Sequence, residues 1–162
     1  MSGRYLLDTN IVIALLRNTR KTDSLRRGIA SLFLAVWRRA SAAFALLNGE
    51  RSVKSAIAVA EEVFLSAIVV GELYFGAAKS GRPEANRALI DEFVQERVVL
   101  PCYVPVGREY GRLKGLLKTQ GTPLPENDIW IAGCARHHDL TLASRDHHFR
   151  AFKELTTVSW QD

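Results

Sequence analysis

Two spacings of apolar residues alternate along this chain. Short runs at Tyr5–Leu7, Val63–Leu65, Arg97–Cys102, Leu140–Ala143 and Thr156–Trp160 have the length and make-up of strands. Between them, apolar residues recur every three to four positions. That spacing predicts helices over Ile11–Leu16, Ser24–Leu47, Arg51–Ala60, Ala67–Lys79, Glu84–Glu96, Val106–Gln120 and from Asn127 to about His138. Punctuation agrees with these limits. Asn48-Gly49 breaks one helix, Ser66 caps the next, and Pro83 suits a first turn. Gly121-Thr122-Pro123-Leu124-Pro125 reads as a rigid loop, Asn127 caps the helix beyond it, and Ser144–His148 reads as a polar loop. Strands alternating with helices imply a parallel sheet, so the fold class is an α/β sandwich.

Composition narrows this picture little, except in one segment. A chain of 162 residues fits one domain, residues 1–162, able to bury a core without staples. Hydrophobic residues at 48% beside 24% charged residues exclude wholesale disorder. Cys102 and Cys134 stand far apart without a metal-ligand spacing, which predicts buried thiols in a reducing compartment. The first residues lack a signal-peptide pattern and no apolar run would span a bilayer, so a cytoplasmic protein without a membrane partner is expected. The net charge of +5 is unevenly placed. Between Arg17 and Ala45, seven basic residues face the single acid Asp23, so the basic excess lies in this segment.

Four acids carry the candidate chemistry. Asp8 ends the first apolar run, at the strand mouth where open parallel sheets keep their ligand crevices. Asp8-Thr9-Asn10 by itself reads equally well as a helix cap. Glu72 has Ile68, Val69, Phe75 and Gly76 at three and four residues, which sets a charge on an apolar face. Such a carboxylate is costly unless an arginine or a bound cation compensates it. Gly71 and Gly76 beside it would let another backbone approach. Asp128 opens a helix, where the positive N-terminus favours an anion, and Asp146 follows the run Leu140–Ala143. Each of these two is also an ordinary turn or first-turn aspartate. Together the four would converge at one crevice at the strand ends. Mutually repelling acids there suit a hard cation, Mg²⁺ or Mn²⁺, and the chemistry that follows is phosphodiester hydrolysis.

The residues around these acids carry a resemblance. Leu6-Leu7-Asp8-Thr9-Asn10-Ile11-Val12-Ile13-Ala14 is the first such stretch, and Leu65 to Ala77 around Gly71-Glu72-Leu73 is the second. Pro125-Glu126-Asn127-Asp128-Ile129-Trp130-Ile131-Ala132 is the third, and Leu140 to Phe149 around Ser144-Arg145-Asp146-His147-His148 the fourth. In this order the set resembles PIN-domain proteins, in particular the VapC-type toxin ribonucleases of bacterial type II toxin–antitoxin pairs. The resemblance implies a PIN-like three-layer α/β/α sandwich whose metal-binding acids fall on Asp8, Glu72, Asp128 and Asp146. The supporting polar positions would be Thr9, Asn10, Ser66 and Asn127. It further implies a Mg²⁺-dependent endoribonuclease (Mn²⁺ serving as well), a homodimer, acting on RNA by metal-activated water. A cognate antitoxin protein would inhibit it by entering the active-site groove.

One segment departs from the resemblance. Residues 17–45 read as a basic helical insertion within the domain. Its arginines would either hold RNA phosphates or stay solvated while the apolar side packs. His147 and His148 would ligate metal, touch phosphate, or do neither. Arg145 would contact a phosphate or pair with an acid such as Glu72, while Trp130 and Trp160 fit a core or an interface. Two rival readings are a PIN-like nuclease of RNA processing without an antitoxin, and a non-catalytic antitoxin-binding subunit disabled by the insertion.

Overall fold

The computed structural model describes residues 3–16 and 51–160. The expected helix Ser24–Leu47 and the insertion 17–45 lie outside the described residues. One sheet of five parallel strands organises the rest, in the order β3-β2-β1-β4-β5. The strands are β1 (Arg4–Leu7), β2 (Glu62–Ser66), β3 (Val98–Leu100), β4 (Thr141–Ala143) and β5 (Thr157–Val158). The helices are α1 (9–16), α2 (Arg51–Val59), α3 (Ala67–Ala78), α4 (Pro83–Gln95), α5 (Val104–Gln120) and α6 (Glu126–His137), with a 3₁₀ turn at His147–Ala151.

Leu6 and Leu7, adjacent on β1, are both fully buried, so the central strand has no solvent face. That is the signature of a parallel sheet covered on both sides. The chain steps one way from β1 through β2 to β3, then jumps back to β4 and β5 on the other side of β1. Right-handed crossovers therefore set α1–α4 on one face and α5–α6 on the other, the three-layer α/β/α arrangement.

The edge strands are shorter than their apolar runs. Pro101 has no N–H to continue β3, and β5 has β4 as its sheet neighbour over two residues. Helix α5 begins two residues earlier than the spacing suggests, because Pro105 fits a first turn whose N–H groups are unpaired anyway. It ends at Gly121, whose φ of 66° is open to glycine without strain. Helices α5 and α6 pack closely: a Cβ on Gly133 would meet the Tyr110 backbone nitrogen at 3.1 Å. Beside that contact Trp130 stacks on Tyr110 at 4.1 Å and 11°. Trp160 is buried edge-on against Tyr5. The two cysteines differ: Cys134 is buried on α6, whereas Cys102 is exposed in the link after β3, against the expectation of two buried thiols.

Candidate active site

The strand order reverses at β1, between β2 and β4, and the acids gather at the C-terminal ends of these central strands. Asp8 follows β1 and is 5% exposed. Its Oδ1 accepts the Thr9 peptide N–H at 2.7 Å. Its Oδ2 accepts the Asn10 Nδ2 amide and the Ser144 hydroxyl, each at 2.6 Å. Burial nevertheless pushes the Asp8 carboxyl from 3.8 up to about 6. The hydrogen bonds from Ser144 and Thr9 pull it back, while the charges of Asp128 and Glu72 add to the rise.

Ser144, buried just beyond β4, joins two acids. Besides donating to Asp8, its Oγ accepts the Asp146 N–H at 2.9 Å and Asn10 Nδ2 at 3.2 Å. Asn10 in turn accepts the Arg145 N–H at 3.2 Å. One hydroxyl thus fixes the turn after β1 against the turn after β4.

Glu72 projects from α3 and is half-buried. The Thr9 hydroxyl donates to its Oε2, and Asn127 Nδ2 donates to its Oε1 at 2.7 Å. Those polar groups stand where the sequence allowed an arginine; the Arg145 guanidinium instead reaches the Trp160 carbonyl at 3.5 Å. Phe75 on the same helix is exposed, and among the described residues nothing lies within 4 Å of where a Cβ on Gly71 or Gly76 would stand, so none of the described backbone approaches there. Ser66 is buried and its hydroxyl caps α3, accepting Val69 N–H at 3.2 Å. It bears on Glu72 through the helix rather than by touching it.

Asp128 sits in the first turn of α6, but Asn127 is not the cap. Pro125 holds that position with φ −54° and ψ 141°, which frees the Asn127 amide for Glu72. Burial raises the Asp128 carboxyl above its ordinary value; His148 lowers it, and Asp146 and Glu72 raise it further. Asp146 caps the 3₁₀ turn, accepting the His148 N–H at 2.9 Å, so Ser144–His148 is not the free polar loop its composition suggests. His148 Nδ1 then lies 3.1 Å from Asp128 Oδ2 and 3.3 Å from Asp146 Oδ1. Ser144 and the placement of His148 escaped the sequence reading. Their signal was their spacing, two residues to either side of the acid that follows a buried strand.

Asp8, Glu72, Asp128 and Asp146 thus come from four places in the chain, and the charges of their neighbours raise the Asp8 and Asp128 carboxyls. Among the described residues, the ion pairs of this group run to histidines, His148 for Asp128 and both His147 and His148 for Asp146. Oxygen donors in excess, one of them buried, fit a divalent cation.

A parallel sheet with acids gathered at its switch point defines an α/β protein with a candidate cation site at the crevice where such sheets bind ligands. The PIN domain profile matches residues 40–155, and the chain belongs to the PIN-domain family. Strand β1 with Asp8 precedes the matched range, yet it pairs with β2 and β4 and is the middle of the same sheet. The chain is 32% identical to Ribonuclease VapC2 of Haemophilus influenzae, over 97% of this chain and 98% of that one. It is 30% identical to the tRNA(fMet)-specific endonuclease VapC of Shigella flexneri, over 97% and 98%. Among solved structures, VapBC-1 from nontypeable Haemophilus influenzae superposes with a TM-score of 0.66 at 25% identity, over 97% of this chain and 98% of that one.

Proposed function

We propose that this chain is a metal-dependent endoribonuclease, the toxin of a toxin–antitoxin pair, that works in the cytoplasm as a homodimer. The observation that carries the reading is the buried Asp8, held by three donors, with the charges of Asp128 and Glu72 raising its carboxyl further. Full-length relatives named as ribonucleases support the activity, and a VapBC neighbour supports a cognate antitoxin. No helix of the described residues is long and apolar enough to cross a membrane.

Asp8 and Asp128 would hold Mg²⁺ (or Mn²⁺), with Glu72 and Asp146 completing the site. When bound, such a cation supplies the positive charge that acidifies an attacking water and offsets the charge building on the phosphodiester. The protein groups contribute orientation. Ser144 and Asn10 fix the rotamer of Asp8, while Thr9 and Asn127 fix that of Glu72, so little reorganisation is needed on reaction. The test is cleavage of total RNA with Mg²⁺, with EDTA, and in Asp8→Asn and Asp128→Asn. Each variant should lose at least ~100-fold in rate, the scale set by removing one preorganised electrostatic group. Undiminished cleavage in both would overturn the assignment. Co-expression with the reading frame directly upstream should abolish toxicity.

A further inference from the structure

We infer that His148 supplies a nitrogen ligand to the cation site between Asp128 and Asp146, and so biases that site towards Mn²⁺ over Mg²⁺. The inference rests on the metal-site reading above. Three ligand atoms converge there: His148 Nδ1 stands 3.1 Å from Asp128 Oδ2 and 3.3 Å from Asp146 Oδ1. Neighbouring ligand atoms of an octahedron with bonds of about 2.1 Å lie roughly 3.0 Å apart. The spacing is thus close to an octahedral edge.

The imidazole is also held in place. The peptide N–H of His148 donates to Asp146 Oδ1 at 2.9 Å, and the next residue, Phe149, is 1% exposed in the core. His147 differs, since its side chain is 80% exposed and its Nδ1 lies 3.6 Å from Asp146 Oδ1. Mg²⁺ takes oxygen ligands and gives up water reluctantly, whereas an imidazole donor raises affinity for first-row transition ions. One nitrogen among carboxylates is therefore a selectivity device, and Mn²⁺ is the ion that still accepts the remaining oxygens.

A hydrogen bond between His148 and the two acids would have similar spacing, so the test must see the metal–nitrogen bond itself. Mn²⁺ added to the full chain is examined by pulsed EPR for directly coordinated ¹⁴N. Mn²⁺ and Mg²⁺ affinities are measured beside it by calorimetry. Wild type and His147→Gln should show the ¹⁴N coupling; His148→Gln and His148→Asn should lose it. The same two variants should lose on the order of tenfold or more in Mn²⁺ affinity, as when a ligand's outer partner is removed, with Mg²⁺ affinity changed less. Mn²⁺ bound without ¹⁴N coupling overturns the inference and leaves the metal site standing. Coupling that survives in His148→Gln also overturns it. No Mn²⁺ binding at all overturns both readings.

Discussion

Replacing Asp8 by Asn should change how the metal-free protein responds to pH. The Asp8 carboxyl is raised from 3.8 to about 6 in the fold, so the folded state holds this proton more tightly than the unfolded chain does. Its favourable contribution is complete below 3.8 and is lost as pH rises through about 6. At 1.36 kcal/mol per pH unit, the shift makes ionised Asp8 a penalty of about 3 kcal/mol at pH 7, roughly half of it already present at pH 5. Asn at this position carries no such term. It does bring a new amide donor against Asn10 Nδ2 or the Thr9 N–H, an unsatisfied pair costing ~1–3 kcal/mol at every pH. Absolute stabilities of the two proteins should thus be similar, and the informative quantity is their difference. Between pH 5 and pH 7, Asp8→Asn should gain on the order of 1 kcal/mol on wild type in metal-free urea unfolding. Added Mg²⁺ should stabilise wild type and leave the variant unchanged, since only a ligand that binds the native state shifts the equilibrium. Parallel pH profiles for the two proteins would refute a raised Asp8 and the strain assigned to the site.

Ser144→Ala removes a donor to Asp8 and an acceptor for the Asp146 N–H; it should cost ~1–3 kcal/mol and drive the Asp8 carboxyl above 6, read by ¹³C NMR titration. Gly133→Ala must displace the Tyr110 backbone, met at 3.1 Å, at ~1–3 kcal/mol against the ~1 kcal/mol an alanine gains in a helix. Gly115→Ala, where nothing among the described residues lies within 4 Å, should keep that gain and raise Tm; equal shifts in both variants would refute tight α5–α6 packing. A thiol reagent on the native protein should modify exposed Cys102 and spare Cys134, buried and pushed up to about 12; two reactive thiols before unfolding would contradict the packing of α6.

The sheet was legible because its strands are short apolar runs between turn residues, and the acids were legible because each follows such a run or interrupts an apolar helix. What the sequence hid were distances across the fold. The cost of a carboxylate on the face of Ile68 and Val69 reads the same whether an arginine, a cation or a pair of polar side chains compensates it. The structure gives Glu72 the third, Thr9 and Asn127. Asn127 also misled as a cap, because local preference at a helix start does not register that Pro125 already fits the entry. Ser144 has as its local signature only its spacing, two residues before Asp146. It matters because β4 lies beside β1, a pairing set by the return of the chain across the sheet rather than by any nearby residue.

That pairing ties stability to the site. Leu7 on β1 lies opposite Ala143 on β4, so Asp8 and Ser144, the next residue of each strand, leave the sheet side by side. Two neighbouring strand ends thus bring an acid and its hydroxyl partner together without any loop having to find the geometry. The Ser144 hydroxyl then carries the same order into the Asp146 turn, and α6 brings Asp128 to within reach of His148 on that turn. Asp8 is held in the most buried part of the fold, which is why its raised carboxyl persists instead of relaxing into solvent. Anything that binds the ionised group relieves a penalty the core enforces, and its binding is coupled to folding in the same measure.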